Sequence, residues 1–317
     1  MLHVMYSCNE TYAVQLCTSV FSLLENNRTL EIQVHCVEDK LRAETKNRIQ
    51  WLAYKFHRQI TFYALDDVIA KLRLCGQDRH PPTIYSKLCM DFLDAERLLY
   101  LDCDTVVNGN LQHLEQMEMG KCLVAGVAMP YNRSVLARMG LGEGDLYICD
   151  GVVLINLQLW KKEQKTEHAA SYIHRCAGQP PMLSEGTLNY ICRGRIMILE
   201  PCYNLMSAML VFNSRKIRKI YKPEFFYTEQ QLMHARKNAL IIHYLDEFFQ
   251  RPWYADSDHP YREVYRVYAR RAGCKPVLAK GDRDRRRKYV RYCGMLLPGG
   301  MFAWLRMHFG HMRGRRK

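Results

Sequence analysis

The stretch RLLYLDCDTVV, residues 97–107, joins a run of apolar side chains to two aspartates, Asp102 and Asp104. Residues 98–101 read as a buried strand, and a carboxylate is costly to bury unless a cation or a hydrogen-bond donor accompanies it. In an extended segment, residues two apart point to the same side, so both carboxylates can face one cation. Oxygen ligands of this kind suit Mg²⁺ or Mn²⁺, which usually bridge to substrate phosphates. Two aspartates in a surface turn would give the same local pattern.

Strand and helix patterns alternate around this stretch. Apolar periodicity predicts strands at residues 2–7, 30–39, 59–67 and 97–107, and helices at 11–27, 41–56 and 83–94. Farther along it predicts strands at 121–129, 195–201 and 238–245, a strand entering a helix at 145–162, and helices at 180–194 and 260–273. This alternation predicts an α/β fold, a parallel sheet with helices on both faces. Ligands bind such sheets beyond the carboxyl ends of the strands, where Asp102 and Asp104 fall.

The composition is that of a globular protein. The 317 residues are 48% hydrophobic and 25% charged, enough for one large or two small domains. Thirteen scattered cysteines form no C-x-x-C pair and no zinc-type spacing. The N-terminus also lacks the basic and apolar regions of a signal peptide. We therefore expect reduced thiols in a cytosolic protein.

The net charge of +14 is concentrated in the last 38 residues. Residues 280–317 hold twelve Lys/Arg and two Asp, which contributes +10 and leaves +4 on the body. Basic residues there surround apolar ones such as Leu296 and Trp304, and Pro298-Gly299-Gly300 divides the segment into two pieces. This pattern is typical of a segment lying on an anionic membrane. A helix packed on the body and a nucleic-acid-binding tail are the alternatives.

Two further motifs have residue types suited to a phosphate-metal site. IIHYLDEFFQRPWY, residues 241–254, places His243 at the end of a strand-like run and Arg251 after a short loop. A histidine can complete a mixed oxygen and nitrogen site, and an arginine can pair with a diphosphate. A buried histidine and a surface arginine would look the same. Asp150-Gly151, before another apolar run, predicts either a close backbone approach to a ligand or a plain turn.

With these motifs in order, the chain resembles glycosyltransferase family 8, which includes lipopolysaccharide galactosyl- and glucosyltransferases and the glycogen-priming enzyme. The resemblance runs to about Tyr268 and rests on YSCNETYAVQLCTSVFSL, YSKL, LLYLDCDTVV, GVVLINLQLW, EGTLN, IIHY and RPWY. It implies a Rossmann-like, GT-A type fold with a mixed, mostly parallel sheet, and a uridine-diphosphate sugar as donor. The implied division is a catalytic domain at 1–268, its nucleotide-sugar half at about 1–110, and a basic amphipathic tail at 269–317.

The resemblance also implies roles for single residues. Asp102, Asp104 and His243 match the ligands of Mn²⁺ (or Mg²⁺). Tyr12 matches an aromatic residue that stacks on uracil, and Arg251 stands where relatives face the diphosphate. The other residues expected to contact the donor are Asn9, Thr11, Lys87, Asp102 and Cys103.

The chain departs from the family pattern on the sugar side. The usual N-[SA]-G is Cys149-Asp150-Gly151 here, and the frequent DQD is Ser184-Glu185-Gly186. Asp150 and Glu185 are the carboxylates nearest the implied reaction centre, so they are the candidate catalytic residues. A helix-surface position for Glu185 is the alternative.

The function predicted from these features is a retaining hexosyltransferase. It would move galactose or glucose from UDP-galactose or UDP-glucose to a cell-surface glycan or glycolipid acceptor, with a divalent metal. We expect it in the cytoplasm, at the inner face of the membrane. A metal-dependent nucleotidyltransferase or phosphohydrolase is the alternative enzyme. A nucleic-acid-binding protein would carry basic patches on its body, which has a charge of only +4, so no nucleic-acid partner is expected.

Overall fold

The computed structural model describes residues 1–74, 82–278 and 285–310. Within them the strands are β1 Leu2–Asn9, β2 Ile32–Asp39, β3 Gln59–Ala64, β4 Arg97–Leu101, β5 Thr105–Val107, β6 Val124–Ala128, β7 Ile148–Asn156, β8 Ile196–Ile198 and β9 Ile241–His243. The α-helices are α1 Ala13–Asn26, α2 Ala43–Lys55, α3 Leu65–Ile69, α4 Gln112–Glu115, α5 Arg133–Arg138, α6 Leu157–Lys162, α7 Lys165–Arg175, α8 Leu183–Ile191, α9 Ser207–Val211, α10 Ser214–Tyr221, α11 Glu229–Lys237, α12 Arg262–Arg271, α13 Arg285–Leu296 and α14 Gly299–Gly310. Short 3-10 helices cover Glu10–Tyr12, Ala70–Leu72, Pro82–Leu88 and Pro201–Tyr203.

The main sheet has the strand order β3-β2-β1-β4-β7-β6-β8. Strand β7 runs antiparallel to both of its neighbours, while the other pairs are parallel. Side chains of β1 alternate between two cores, since Val4 and Tyr6 join one cluster and Met5 joins the other. Helices α1 and α2 contribute to the first core, and α7 and α8 to the second. The predicted α/β fold, with a mixed, mostly parallel sheet and helices on both faces, is confirmed.

The stretch at residues 97–107 does not form one strand. Strand β4 ends at Leu101, residues 102–104 turn, and β5 leaves to pair with β9 in a second sheet. Thr105 Oγ1 donates to Asp102 O at 2.8 Å and closes the turn. The prediction that Asp102 and Asp104 share one side of an extended strand is therefore wrong.

The helix predicted at 83–94 is also wrong in type and length. A 3-10 helix covers Pro82–Leu88, and no regular helix continues to residue 94. Ser86 Oγ donates to Thr83 O at 2.9 Å, three residues back, in keeping with the tighter winding. This short helix brings Lys87 to the end of β4 and the start of β7.

The described part of the tail packs on the body. Phe302 is buried against Phe212, with ring centroids 5.8 Å apart, and Lys216 Nζ donates to Met295 O at 2.9 Å. The tail thus contacts the body through Met295 and Phe302, while residues 279–284 and 311–317 lie outside the described residues. The division at residue 268 stays a prediction, and α12 runs across it.

None of the described helices is both long enough and apolar enough to span a membrane. The cysteines within the described residues are free thiols.

Candidate active site

The second sheet brings His243 to the two aspartates. Thr105 pairs with His243 in the β5–β9 register, so the end of β9 lies beside the turn that follows β4. His243 Nε2 is 3.1 Å from Asp104 Oδ1 and 3.9 Å from Asp102 Oδ2. One donor atom from each residue lies within 4.8 Å of the other two. Two carboxylates and one imidazole therefore converge on one point.

Asn204 orients the imidazole of His243. Asn204 Oδ1 is 3.1 Å from His243 Nδ1, and both residues are buried. A hydrogen bond from Nδ1–H to this oxygen directs Nε2 toward the aspartates, as the hydrogen-bond acceptors behind metal-binding histidines commonly do. Burial lowers the pKa of His243, but the Asp104 carboxylate outweighs burial and holds this pKa well above its ordinary value.

There is no space for a side chain at Gly151, beside His243 and Asp102. A Cβ atom at this position would lie 2.3 Å from His243 Cε1 and 2.7 Å from Asp102 Oδ2. Asp102 N also donates to Gly151 O at 2.8 Å. The close backbone approach predicted at Asp150-Gly151 is thus an approach to the residues of the site, and a glycine fits it because it lacks a side chain.

Lys87 is a buried cation between two carboxylates. It is 4% exposed, and its Nζ lies 3.1 Å from Asp102 Oδ1 and 3.1 Å from Asp150 Oδ2. Burial lowers the pKa of Lys87, but these two carboxylates raise it above its ordinary value. Asp150 Oδ2 also accepts a hydrogen bond from Ser184 Oγ at 2.8 Å.

Arg251 supplies a second cation from the loop after β9. Its Nη2 is 3.2 Å from Asp104 Oδ2, and its Nη1 donates to the hydroxyl of Tyr12. The guanidinium also lies 5.3 Å from the ring centroid of Trp253. The motifs around Tyr12, Asp104 and Arg251 are far apart in sequence and meet at this point.

Three predicted donor-contacting residues lie at the edge of this arrangement. Asn9 ends β1, and its side chain accepts from Thr11 N at 3.1 Å. Thr11 is exposed. The Cys103 thiol points away from the carboxylates, because it donates to Ser7 O at 3.2 Å within the core.

A second acidic cluster adjoins Lys87. Donor atoms of Cys149, Asp150 and Glu185 lie within 4.8 Å of one another. Tyr147 OH donates to Glu185 Oε1 at 2.8 Å. Burial, together with the Asp150 carboxylate, raises the pKa of Glu185 to about 8. Glu185 is half-buried on α8 and lies beside Asp150 and Tyr147.

Sequence reasoning did not single out Asn204 or Tyr147. Neither residue belongs to a recognisable motif, and each acts through one contact with a residue distant in sequence. Ser184 was noted only as a departure from the family pattern, without its contact to Asp150.

The sequence of the chain also matches the profile of a protein family. The sequence profile described as Glycosyl transferase family 8 matches residues 3–256. The chain belongs to glycosyl transferase family 8. It is therefore a glycosyltransferase, so the nucleotidyltransferase, phosphohydrolase and nucleic-acid-binding interpretations are set aside.

Individual relatives are distant but cover most of the chain. The lipopolysaccharide 1,2-glucosyltransferase of Escherichia coli is 25% identical over 311 residues, which cover 94% of this chain and 88% of the relative. General stress protein A of Bacillus subtilis is 22% identical over 274 residues, 84% of this chain and 93% of the relative. The crystal structure of the galactosyltransferase LgtC with donor and acceptor sugar analogues has a TM-score of 0.69 at 16% identity, covering 90% of this chain and all of that one. This last likeness shows that the two proteins share a fold.

The residues at the strand ends fit a divalent metal. Glycosyltransferases of this fold use a nucleotide-sugar donor and a divalent metal. Asp102, Asp104 and His243 offer two carboxylates and an oriented imidazole, a mixed oxygen and nitrogen set that suits Mn²⁺ and also accommodates Mg²⁺.

Proposed function

We propose that this glycosyltransferase is a retaining hexosyltransferase that moves galactose or glucose from a UDP-sugar to a cell-surface glycan or glycolipid. The observation that carries the proposal is the convergence of Asp102, Asp104 and His243 between two cationic side chains, Lys87 and Arg251. Loss of uridine diphosphate from an anomeric carbon leaves two phosphate groups that need positive charge on more than one side.

The protein's own residues would provide most of the binding site. Asp102, Asp104 and His243 would hold Mn²⁺ or Mg²⁺, and the bound metal would supply Lewis-acid stabilisation of the diphosphate. Arg251 and Lys87 would add fixed positive charge to the same leaving group. We propose that Tyr12 stacks on the uracil, because it ends the 3-10 helix that follows β1 and already contacts Arg251. Asn9, Thr11 and the main chain at Cys103 would complete the nucleoside side.

We propose that Asp150 and Glu185 line the sugar side. Because its pKa is about 8, Glu185 keeps its proton near neutral pH and can form hydrogen bonds without repelling Asp150. This favours a role in orienting the acceptor hydroxyl. Replacement of Glu185 by Gln should preserve UDP affinity and lower the rate of transfer. A full transfer rate in Glu185→Gln would rule the role out.

The names of relatives guide the choice of sugar and acceptor. One relative is a lipopolysaccharide 1,2-glucosyltransferase, and one structural neighbour is a galactosyltransferase with donor and acceptor sugar analogues. We therefore propose a role in lipopolysaccharide or related surface-glycan synthesis, in the cytoplasm at the inner face of the membrane.

The tail helices offer a surface for an anionic membrane. The side chains of Leu296, Tyr292 and Trp304 are 81%, 53% and 52% exposed, within a strongly basic segment. Apolar side chains among basic residues are typical of interfacial segments. The double variant Leu296→Ser/Trp304→Ser should lose binding to anionic vesicles. Serine at the similarly exposed Trp51 and Tyr54 of α2 is the control, and equal binding by both double variants would contradict the membrane proposal.

The central experiment measures hydrolysis of a panel of UDP-sugars with Mn²⁺. Wild type should turn over UDP-galactose or UDP-glucose, and Asp104→Asn should lose at least about 100-fold in rate, because one metal ligand and the Arg251 partner change together. Asp67→Asn, an exposed aspartate on α3, is the matched control. Absence of turnover for every donor in wild type would refute the proposed function.

A further inference from the structure

The loop that carries Arg251 is held from outside the donor site. It runs from β9 to α12. Arg266 of α12 donates from Nε to Pro252 O at 3.2 Å and from Nη2 to Tyr254 O at 3.0 Å. These bonds hold the loop on the side that follows Arg251. The side that precedes Arg251 is held by a different helix.

Asp258 connects the part of the loop before Arg251 to the tail. Its Oδ1 accepts a hydrogen bond from Gln250 N, the residue before Arg251, at 3.0 Å. Its Oδ2 lies 2.8 Å from Nη2 of Arg291 on α13. One carboxylate thus joins the main chain beside Arg251 to a helix of the tail.

Arg291 makes more than one contact with this loop. Its side chain is 12% exposed, its Nη1 donates to Phe248 O at 3.4 Å, and its guanidinium lies 4.7 Å from the ring centroid of Phe249. A planar guanidinium suits this combination of ion pair, carbonyl contact and ring contact. A largely buried ion pair of this kind is less screened by solvent than one on the surface.

We propose that Arg291 is a positioning residue for donor binding. Through Asp258 and residues 248–249, it keeps the loop in the arrangement that places Arg251 3.2 Å from Asp104. The inference rests on the proposed role of Arg251 at the donor diphosphate. It makes the described part of the tail a component of the donor site, although the tail itself does not contact the metal-site residues through any described ion pair.

The consequence is a specific kinetic pattern. Without Arg291, the loop spends only part of its time in the binding arrangement, and the apparent donor affinity falls by that fraction. If the competent fraction is about one tenth, then KM for the donor and Kd for UDP rise about tenfold. A saturating donor concentration returns the loop to its binding arrangement, so kcat stays near that of wild type. Arg251→Met should instead lower kcat as well, because Arg251 faces the leaving group itself.

The experiment compares Arg291→Met, Asp258→Asn and the double variant in the full chain. Each is assayed for UDP affinity by calorimetry with Mn²⁺, for KM and kcat of donor hydrolysis, and for Tm. Arg28→Met removes an arginine from an exposed ion pair with Glu25 and is the matched control. Asp258→Asn keeps the acceptor for Gln250 N, so it tests the ion pair even if Arg291→Met folds poorly.

The expected result is an approximately tenfold rise in KM and in Kd for both single variants. The double variant should show no further rise, because both changes break one connection. If Arg291→Met and Asp258→Asn fold and keep the KM and Kd of wild type, this inference is overturned, whereas the proposed function is unaffected. Wild type that binds no UDP would overturn the proposed function and this inference with it.

Discussion

Replacement of Gly151 by alanine tests how closely the proposed metal site is packed. The added Cβ would lie 2.3 Å from His243 Cε1, whereas carbon atoms in contact need about 3.5 Å, so the two groups must separate by about 1.2 Å. The same Cβ would lie 2.7 Å from Asp102 Oδ2. Two of the three proposed ligands would therefore be displaced together. Displacement of about 1 Å at a reacting centre can cost about 100-fold in rate.

The assay is donor hydrolysis as a function of Mn²⁺ concentration. Gly151→Ala should need about 10–100 times more Mn²⁺ for half-maximal rate, the range seen when the support of a metal ligand is lost. Overpacking should also lower the free energy of unfolding by about 1–3 kcal/mol. Gly142→Ala is the control, since its Cβ would meet only Asp145 Oδ2, at an ordinary 3.8 Å. A Gly151→Ala protein with the Mn²⁺ dependence of wild type would refute the packing argument.

The remaining predictions concern the contact between Asn204 and His243 and two shifted pKa values. Asn204→Leu should raise the Mn²⁺ requirement about 10–100-fold, because His243 loses the partner of Nδ1; an unchanged Mn²⁺ titration would contradict this. The pKa of Glu185 is raised to about 8, so the native state binds more protons than the unfolded state between about pH 4.5 and 8, and its stability falls as pH rises through that window. Urea unfolding in EDTA should show this loss in wild type and a flatter profile in Glu185→Gln. Burial, together with neighbouring His3, lowers the pKa of His35 to about 4, so stability should fall as pH drops from about 6.5 toward 4. His35→Gln should lose part of that dependence, and parallel profiles for the two proteins would count against it.

Much of the fold could be predicted because its signals are local. Apolar periodicity and strand-helix alternation identified β1, β2, α1 and α2, since each element shows its buried face in its own sequence. The end of β4 at Leu101 could not be predicted from apolar periodicity. Residues 105–107 are as apolar as residues 98–101, and only pairing with β9 makes them a separate strand.

The candidate site could likewise be predicted only in part. The residue types of Asp102, Asp104, His243, Lys87 and Arg251, together with the family resemblance, were enough to predict a metal and diphosphate site. The geometry assumed for the two aspartates was wrong, because a turn and not an extended strand brings them together. The surroundings of Glu185 could not be predicted either, because its contact with Tyr147 and its closeness to Asp150 depend on tertiary packing.

By itself, the sequence determined the α/β fold, the family and the chemical types gathered at the strand ends, because these depend on local periodicity and on motifs in a fixed order. Only the tertiary structure decided which of those groups meet. Asn204 behind His243, Gly151 against His243, and Arg291 at Asp258 in the loop of Arg251 are contacts between residues 39, 92 and 33 positions apart. Such contacts depend on how β9, β7 and α13 pack, and no local pattern in the chain encodes that packing.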